Sequence, residues 1–285
     1  MKLAAFIHSG RSGVGVVDEA SGEIRPVQVS GMLALVEAAA AGGAPPTPTG
    51  AAIPLAEVAL QAPLIPPRNV ICVGKNYREH AREFAQSGFE AGAVKGAEID
   101  EFPAVFTKPT SCIVGPGATV SLHPGVTSMV DYEVELAVVI GRGGRDIKRA
   151  DAFDHIFGYT IVNDVTARDR QRNHKQWFLG KALDTFCPMG PWITTRDEVD
   201  AENLDVSCWV NGELRQSANT RDLIFDIPGL VETISAGMTL LPGDVISTGT
   251  PAGVGIGLKP PRFLKEGDVV RMAIQGLGEI SNRFA

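Results

Sequence analysis

The stretch DYEVELAVVIG, Asp131–Gly141, sets two glutamates one residue apart ahead of an apolar run fit for a buried strand. Successive side chains of a strand point to opposite faces, so Glu133 and Glu135 share one face. Val134, Leu136 and Val138 take the other. At strand rise the two glutamate Cα atoms stand roughly 6.5–7 Å apart. Burying like charges at that separation is costly unless a cation or protons offset the repulsion. An exposed strand with acidic residues on its solvent face is the alternative, and the apolar continuation LAVVIG weighs against it.

Around this stretch, short β-branched runs alternate with Gly, Pro and Asp turns. NVICVG, AVFTKP, HIFGYTIVND, DVSCWVNG, DVISTG, DVVRMAIQG and GEISN all read as strands. Helical patterns intervene only near 76–85, 166–174 and 225–237. The expectation is an α+β, β-rich fold with peripheral helices, not a regular βαβ array. Residues 1–65 read as a small unit of their own, with strands KLAAFIH and GVGVVD, a helix over GMLALVEAAAAGG and the loop GAPPTPTGAA. Residues 66–285 form the main domain.

The chain has 285 residues, 44% of them hydrophobic, which is enough for a sizeable core. A formal net charge of −7 argues against nucleic-acid or membrane-surface partners, which call for basic patches. No apolar run is long enough to span a bilayer, and the N-terminal apolar run stops at Ile7. Cys72, Cys112, Cys187 and Cys208 lie far apart, so neither a zinc motif nor a disulfide framework is expected. A reducing, cytoplasmic setting fits these thiols.

Downstream, GYTIVNDVTARDRQ (158–171) ends a strand at Asn163–Asp164, and Thr166 and Asp169 have capping-box spacing for a following helix. Glu133, Glu135 and Asp164 then make three hard oxygen ligands, a set suited to Mg²⁺, Mn²⁺ or Ca²⁺. In VGKNYREHAREF, His80 and Glu83 stand at i and i+3, on one helix face. A carboxylate-oriented histidine can take a proton from water, although a solvated pair is the common reading of that spacing. Gly88, Gly92 and Gly96 follow and suggest a lid. Lys181 sits in the apolar WFLGKALDTF, placed either to stabilise an anion, to form a Schiff base, or to snorkel to the surface. STGTPAGVGIG (247–257) lacks GK[ST], so it is expected to wall the substrate site and not to cradle a nucleotide.

Eight ordered motifs resemble the fumarylacetoacetate hydrolase family: GKNYREH, FTKPTS, DYEVELAVVIG, NDVTARD, GKALDTFCPMGPW, VNGELRQSANTRDLIF, PGDVISTGTPAGVG and LKEGDVV. The resemblance covers about residues 66–285 and includes the acylpyruvase-like and 2-hydroxyhepta-2,4-diene-1,7-dioate isomerase-like bacterial members. It implies a mixed β-sandwich roll, usually dimeric, with a small N-terminal α+β domain. It assigns Glu133, Glu135 and Asp164 as metal ligands, His80 and Glu83 as a water-activating dyad, and Lys181 as an enolate- and carboxylate-binding lysine. Arg168, Gln171 and Thr250 become substrate contacts. The founding branch carries a further aspartate ligand seven residues before the dyad histidine. Val73 stands there, so three protein carboxylates are expected.

The activity implied is a Mg²⁺- or Mn²⁺-dependent hydrolase that cleaves a C–C bond of an acylpyruvate or other 2,4-dioxo acid, leaving pyruvate enolate. Oxaloacetate decarboxylation and 2-hydroxymuconate-type isomerisation pass through the same enolate and are the alternatives. The expected partners are a small 2-oxo acid and a second copy of the chain.

Overall fold

The computed structural model describes residues 1–87 and 100–285; the glycines at 88, 92 and 96 lie outside the described residues. The predicted strands form where the alternation places them. A large sheet runs in the order Ile53–Pro54, Glu23–Val27, Arg11–Asp18, Lys2–His8, Cys187–Thr195, Ile156–Asn163, Val134–Ile140, Val245–Ser247, Val70–Gly74, Ala104–Lys108. A four-stranded antiparallel sheet, Glu213–Asn219, Asp205–Val210, Val269–Ile274 and Gly278–Arg283, packs on it.

Val206, Cys208, Val270, Met272 and Ile280 of the smaller sheet share one core with Leu136, Val138, Ile161 and Met189 of the larger. Each such side chain contributes about 1.5–3 kcal/mol on leaving water. Val134–Ile140 is buried on both faces, since Leu136 and Val138 face this core and Glu135 is only 2% exposed on the other side. The acidic strand is therefore interior.

The N-terminal strands extend the large sheet: Lys2 and Leu3 pair with Thr194 and Ile193. The accepting strand, Cys187–Thr195, contains Pro188 and Pro191 and was not anticipated. A register shift opposite Tyr159–Ile161 accommodates a proline within the sheet.

The helix expected near 166–174 starts later, at Arg168, and ends at Asn173. Thr166 belongs instead to a two-residue strand paired with Val130–Asp131, and its hydroxyl donates to the Asp164 carbonyl. Asp169 accepts from Thr127 Oγ1 and from the Arg170 amide, so no capping box forms. The helix Ile227–Ser235 matches the third helical pattern, capped by Asp226 accepting from the Gly229 amide at 3.0 Å. Among the described residues no helix is long and apolar enough to cross a membrane.

Candidate active site and carboxylate centre

Sheet register assembles the carboxylates. Val134 pairs with Asn163 and Glu135 with Val162, so the chain leaving the second strand passes directly across from Glu133. The Asp164 amide donates to the Glu133 carbonyl at 2.9 Å, and the Glu133 amide donates to Asn163 Oδ1 at 3.1 Å. On the other flank, Ser247 ends the neighbouring strand. Its hydroxyl donates to Glu135 Oε2 at 2.5 Å, and the Gly249 amide donates to the same oxygen at 3.0 Å. One carboxylate oxygen from each of Glu133, Glu135 and Asp164 then lies within 4.8 Å of the others, and all three residues are buried.

Three cations surround this cluster, unequally. Lys181 Nζ donates to Glu133 Oε2 at 2.8 Å and to Asp164 Oδ2 at 2.6 Å. Arg168 pairs through Nη2 with Glu133 Oε1 at 2.6 Å and through Nε with Asp131 Oδ2 at 2.9 Å. Lys108, fully buried, donates to Asp164 Oδ1 at 2.6 Å and to the carbonyls of Val165 and Lys181. Burial alone would raise the Glu133 carboxyl, but Lys181, then Arg168 and His80, outweigh it and hold Glu133 below the usual carboxylate range. Among the described residues, no cation donates a hydrogen bond to Glu135. Burial, then Asp164 and Glu133, push its carboxyl well above its ordinary value.

That imbalance, and not the mere presence of acidic groups, suits the centre to a divalent cation. An ion with oxygen ligands at about 2.0–2.6 Å spans ligand pairs up to roughly 4–5 Å apart and supplies the positive charge Glu135 lacks. Val73, in the position of the extra aspartate, is buried in its strand, so the group numbers three carboxylates among the described residues.

His80 and Glu83 lie on the helix Arg78–Gln86, with Nδ1 and Glu83 Oε2 3.1 Å apart. Glu83 is fixed in turn by the Gly253 amide, which donates to Oε1 at 3.0 Å. Phe84 packs with Val254 and Ile256, anchoring the helix to the loop after Ser247. Phe84 and Phe106 both meet Trp177 edge-on, forming an aromatic wall. His80, Glu133, Glu135, Arg168, Gln171, Lys181 and Thr250 all line one small cavity beneath that wall. Gln171 Oε1 accepts from Arg168 Nη1 at 3.3 Å, and Thr250 Oγ1 accepts from Gln216 Nε2 at 2.7 Å.

The loop 247–257 does more than wall the site. Its amides serve the protein's own carboxylates: Gly249 donates to Glu135, Gly253 to Glu83, and Gly255 and Ile256 to Asp131. A Cβ at position 257 would lie 1.7 Å from Glu83 Oε1. Gly257→Ala therefore displaces the end of Glu83 without breaking the fold. Turnover should fall by at least tenfold while divalent-cation affinity stays unchanged, checked by kinetics and cation titration of the same preparation.

Four buried residues that sequence reading passed over complete the site: Lys108, Asp131, Gln216 and Ser247. All four sit inside the quoted motifs. What marks Lys108 is its place at the end of an apolar strand, where a charge stays only if paired.

A β-rich fold carries a buried three-carboxylate centre that could hold a divalent cation, with a histidine–glutamate pair at its edge. The chain belongs to the fumarylacetoacetate hydrolase family: residues 69–285 match the family's C-terminal (FAA hydrolase) domain. It is 52% identical over 232 residues to the oxaloacetate tautomerase YisK of Bacillus subtilis (strain 168), a match spanning 81% of this chain and 74% of that protein. Among solved structures, the fumarylacetoacetate hydrolase of psychrophilic Exiguobacterium antarcticum superposes with a TM-score of 0.86 at 42% identity, covering 100% of this chain and 99% of the other. The 2-hydroxyhepta-2,4-diene-1,7-dioate isomerase of Mycobacterium marinum superposes at 0.80 with 38% identity, covering 100% and 98%.

Proposed function

We propose that this enzyme interconverts the enol and keto forms of oxaloacetate or a closely related short 2-oxo acid, with a divalent cation held by Glu133, Glu135 and Asp164. The observation that carries this reading is the buried carboxylate centre with Lys181 and His80 on one cavity. Its likeness to an oxaloacetate tautomerase supports the choice among reactions that share an enolate. A cation held there would supply the positive charge that stabilises an enolate of such an acid.

The remaining work falls to the chain's own groups. Enol-to-keto conversion removes the proton from the oxygen on C2 and delivers one to C3. In this scheme His80, oriented by Glu83, takes the proton lost from the C2 oxygen and, as the imidazolium, delivers a proton to C3. Lys181 puts an ammonium beside the oxygen that bears negative charge between those steps. Arg168, Gln171 and Thr250 are the substrate contacts in this scheme.

Mg²⁺ or Mn²⁺ as the ion, a homodimer and a cytoplasmic location belong to the same proposal, on family likeness. So does a division into a small domain, 1–65, whose strands extend the sheet of the catalytic domain, 66–285.

The test follows deuterium uptake at C3 of oxaloacetate by NMR in heavy water. Wild-type protein with Mg²⁺ should accelerate exchange over the uncatalysed rate, and His80→Ala should lower that acceleration by about 10²–10⁴ while leaving Mg²⁺ affinity intact. Exchange unaffected by His80→Ala sinks the role given to the dyad.

A second reading, C–C hydrolysis of an acylpyruvate, is favoured by the dyad itself. A histidine 3.1 Å from a glutamate fixed by a backbone amide is equipped to take a proton from water. Decarboxylation of oxaloacetate and diene-acid isomerisation need no such water.

A further inference from the structure

Lys75 follows the strand Val70–Gly74 with a left-handed backbone, φ 54°, uncommon for a residue with a side chain. The turn is held on both sides. Asn76 donates to the carbonyls of Phe225 and Thr248 and accepts from the Phe225 amide. A Cβ at Gly74 would lie 2.2 Å from the Trp177 ring. Lys75 thus has a fixed place in the wall of the cavity that holds His80, Glu133 and Lys181.

The cations lining that cavity differ in what they hold. Arg168 and Lys181 pair with Asp131, Glu133 and Asp164, carboxylates whose side chains are at most 5% exposed. Lys75 pairs instead with Asp100, whose side chain is 22% exposed and lies in no helix or strand. Exchanging that carboxylate for one on a ligand keeps the ammonium paired, so the exchange costs little.

We propose that Lys75 is a specificity-determining residue. Its ammonium receives the distal carboxylate of a dicarboxylic 2-oxo acid, in competition with Asp100, so the site favours dicarboxylic over monocarboxylic 2-oxo acids. This inference rests on the 2-oxo acid reading of the site. A group built to bind a carboxylate discriminates against ligands that lack one, because the bond to it goes unmade.

Calorimetric titration of the Mg²⁺-supplied protein with oxaloacetate and with pyruvate tests it. Lys75→Met should weaken oxaloacetate by about 10- to 100-fold and leave pyruvate unchanged. Lys75→Arg should retain the preference, and Asp100→Asn should tighten oxaloacetate alone. If Lys75→Met changes both ligands equally, or neither, the role of Lys75 is overturned while the 2-oxo acid reading stands. If wild-type protein binds neither ligand, both fall together.

Discussion

Glu135→Gln abolishes divalent-cation binding and turnover together. The substitution removes one of the three carboxylates proposed to hold the cation and leaves the Ser247 hydroxyl and Gly249 amide facing an uncharged oxygen of the same shape. Cation affinity should fall by more than about 100-fold, beyond what loss of an outer partner costs. The metal-free protein should not suffer. Its Glu135 carboxyl is raised by burial, Asp164 and Glu133, so the folded state holds a proton that the unfolded state releases at lower pH. Stability of the metal-free protein therefore falls as pH rises through the window between the unfolded and folded values. Glu135→Gln should remove that slope, and Mg²⁺ should restore stability at high pH in wild-type protein only. Thermal unfolding across a pH series, with and without Mg²⁺, reads both effects.

Lys108→Met costs about 3–5 kcal/mol of stability, the penalty for breaking a buried ion pair by removing one partner. The loss leaves Asp164 Oδ1 without its ammonium and the carbonyls of Val165 and Lys181 without a donor. Because the Lys181 carbonyl is one of those acceptors, the change also loosens the residue that bridges Glu133 and Asp164. Urea unfolding measures the deficit. Added Mg²⁺ should recover part of it, since a ligand bound only by the folded state stabilises in proportion to the logarithm of its concentration. A variant as stable as wild type would mean that Lys108 is not what neutralises Asp164.

What could be read from sequence was whatever depends on local period. The alternation in EVE places Glu133 and Glu135 on one face, the apolar tail of that strand signals burial, and i,i+3 spacing brings His80 to Glu83. Asp164 was readable as a strand-end residue, and antiparallel register then sets it across from Glu133. What escaped depends on partners distant in the chain. Lys108 meets Asp164 across 56 residues and Asp131 meets the Gly255 amide across 124, and no local pattern names either partner. The glycine-rich loop could be recognised as a wall of the site, but that its amides serve the site's own carboxylates could not. Two prolines hid the strand Cys187–Thr195, which a register shift keeps in the sheet. The compositional break near residue 60 separates the N-terminal segment in sequence, yet Lys2 and Leu3 join it to the main sheet.

The most direct test follows three signals in parallel on metal-stripped protein before and after Mg²⁺ or Mn²⁺ is restored: loss of oxaloacetate enol absorbance, CO₂ release from oxaloacetate, and acetate release from acetylpyruvate. Cation-dependent loss of the enol, with little CO₂ or acetate, is the result expected of a tautomerase built on Glu133, Glu135 and Asp164. Acetate and pyruvate from acetylpyruvate, with the enol signal at its uncatalysed rate, would contradict it and assign the dyad to water activation.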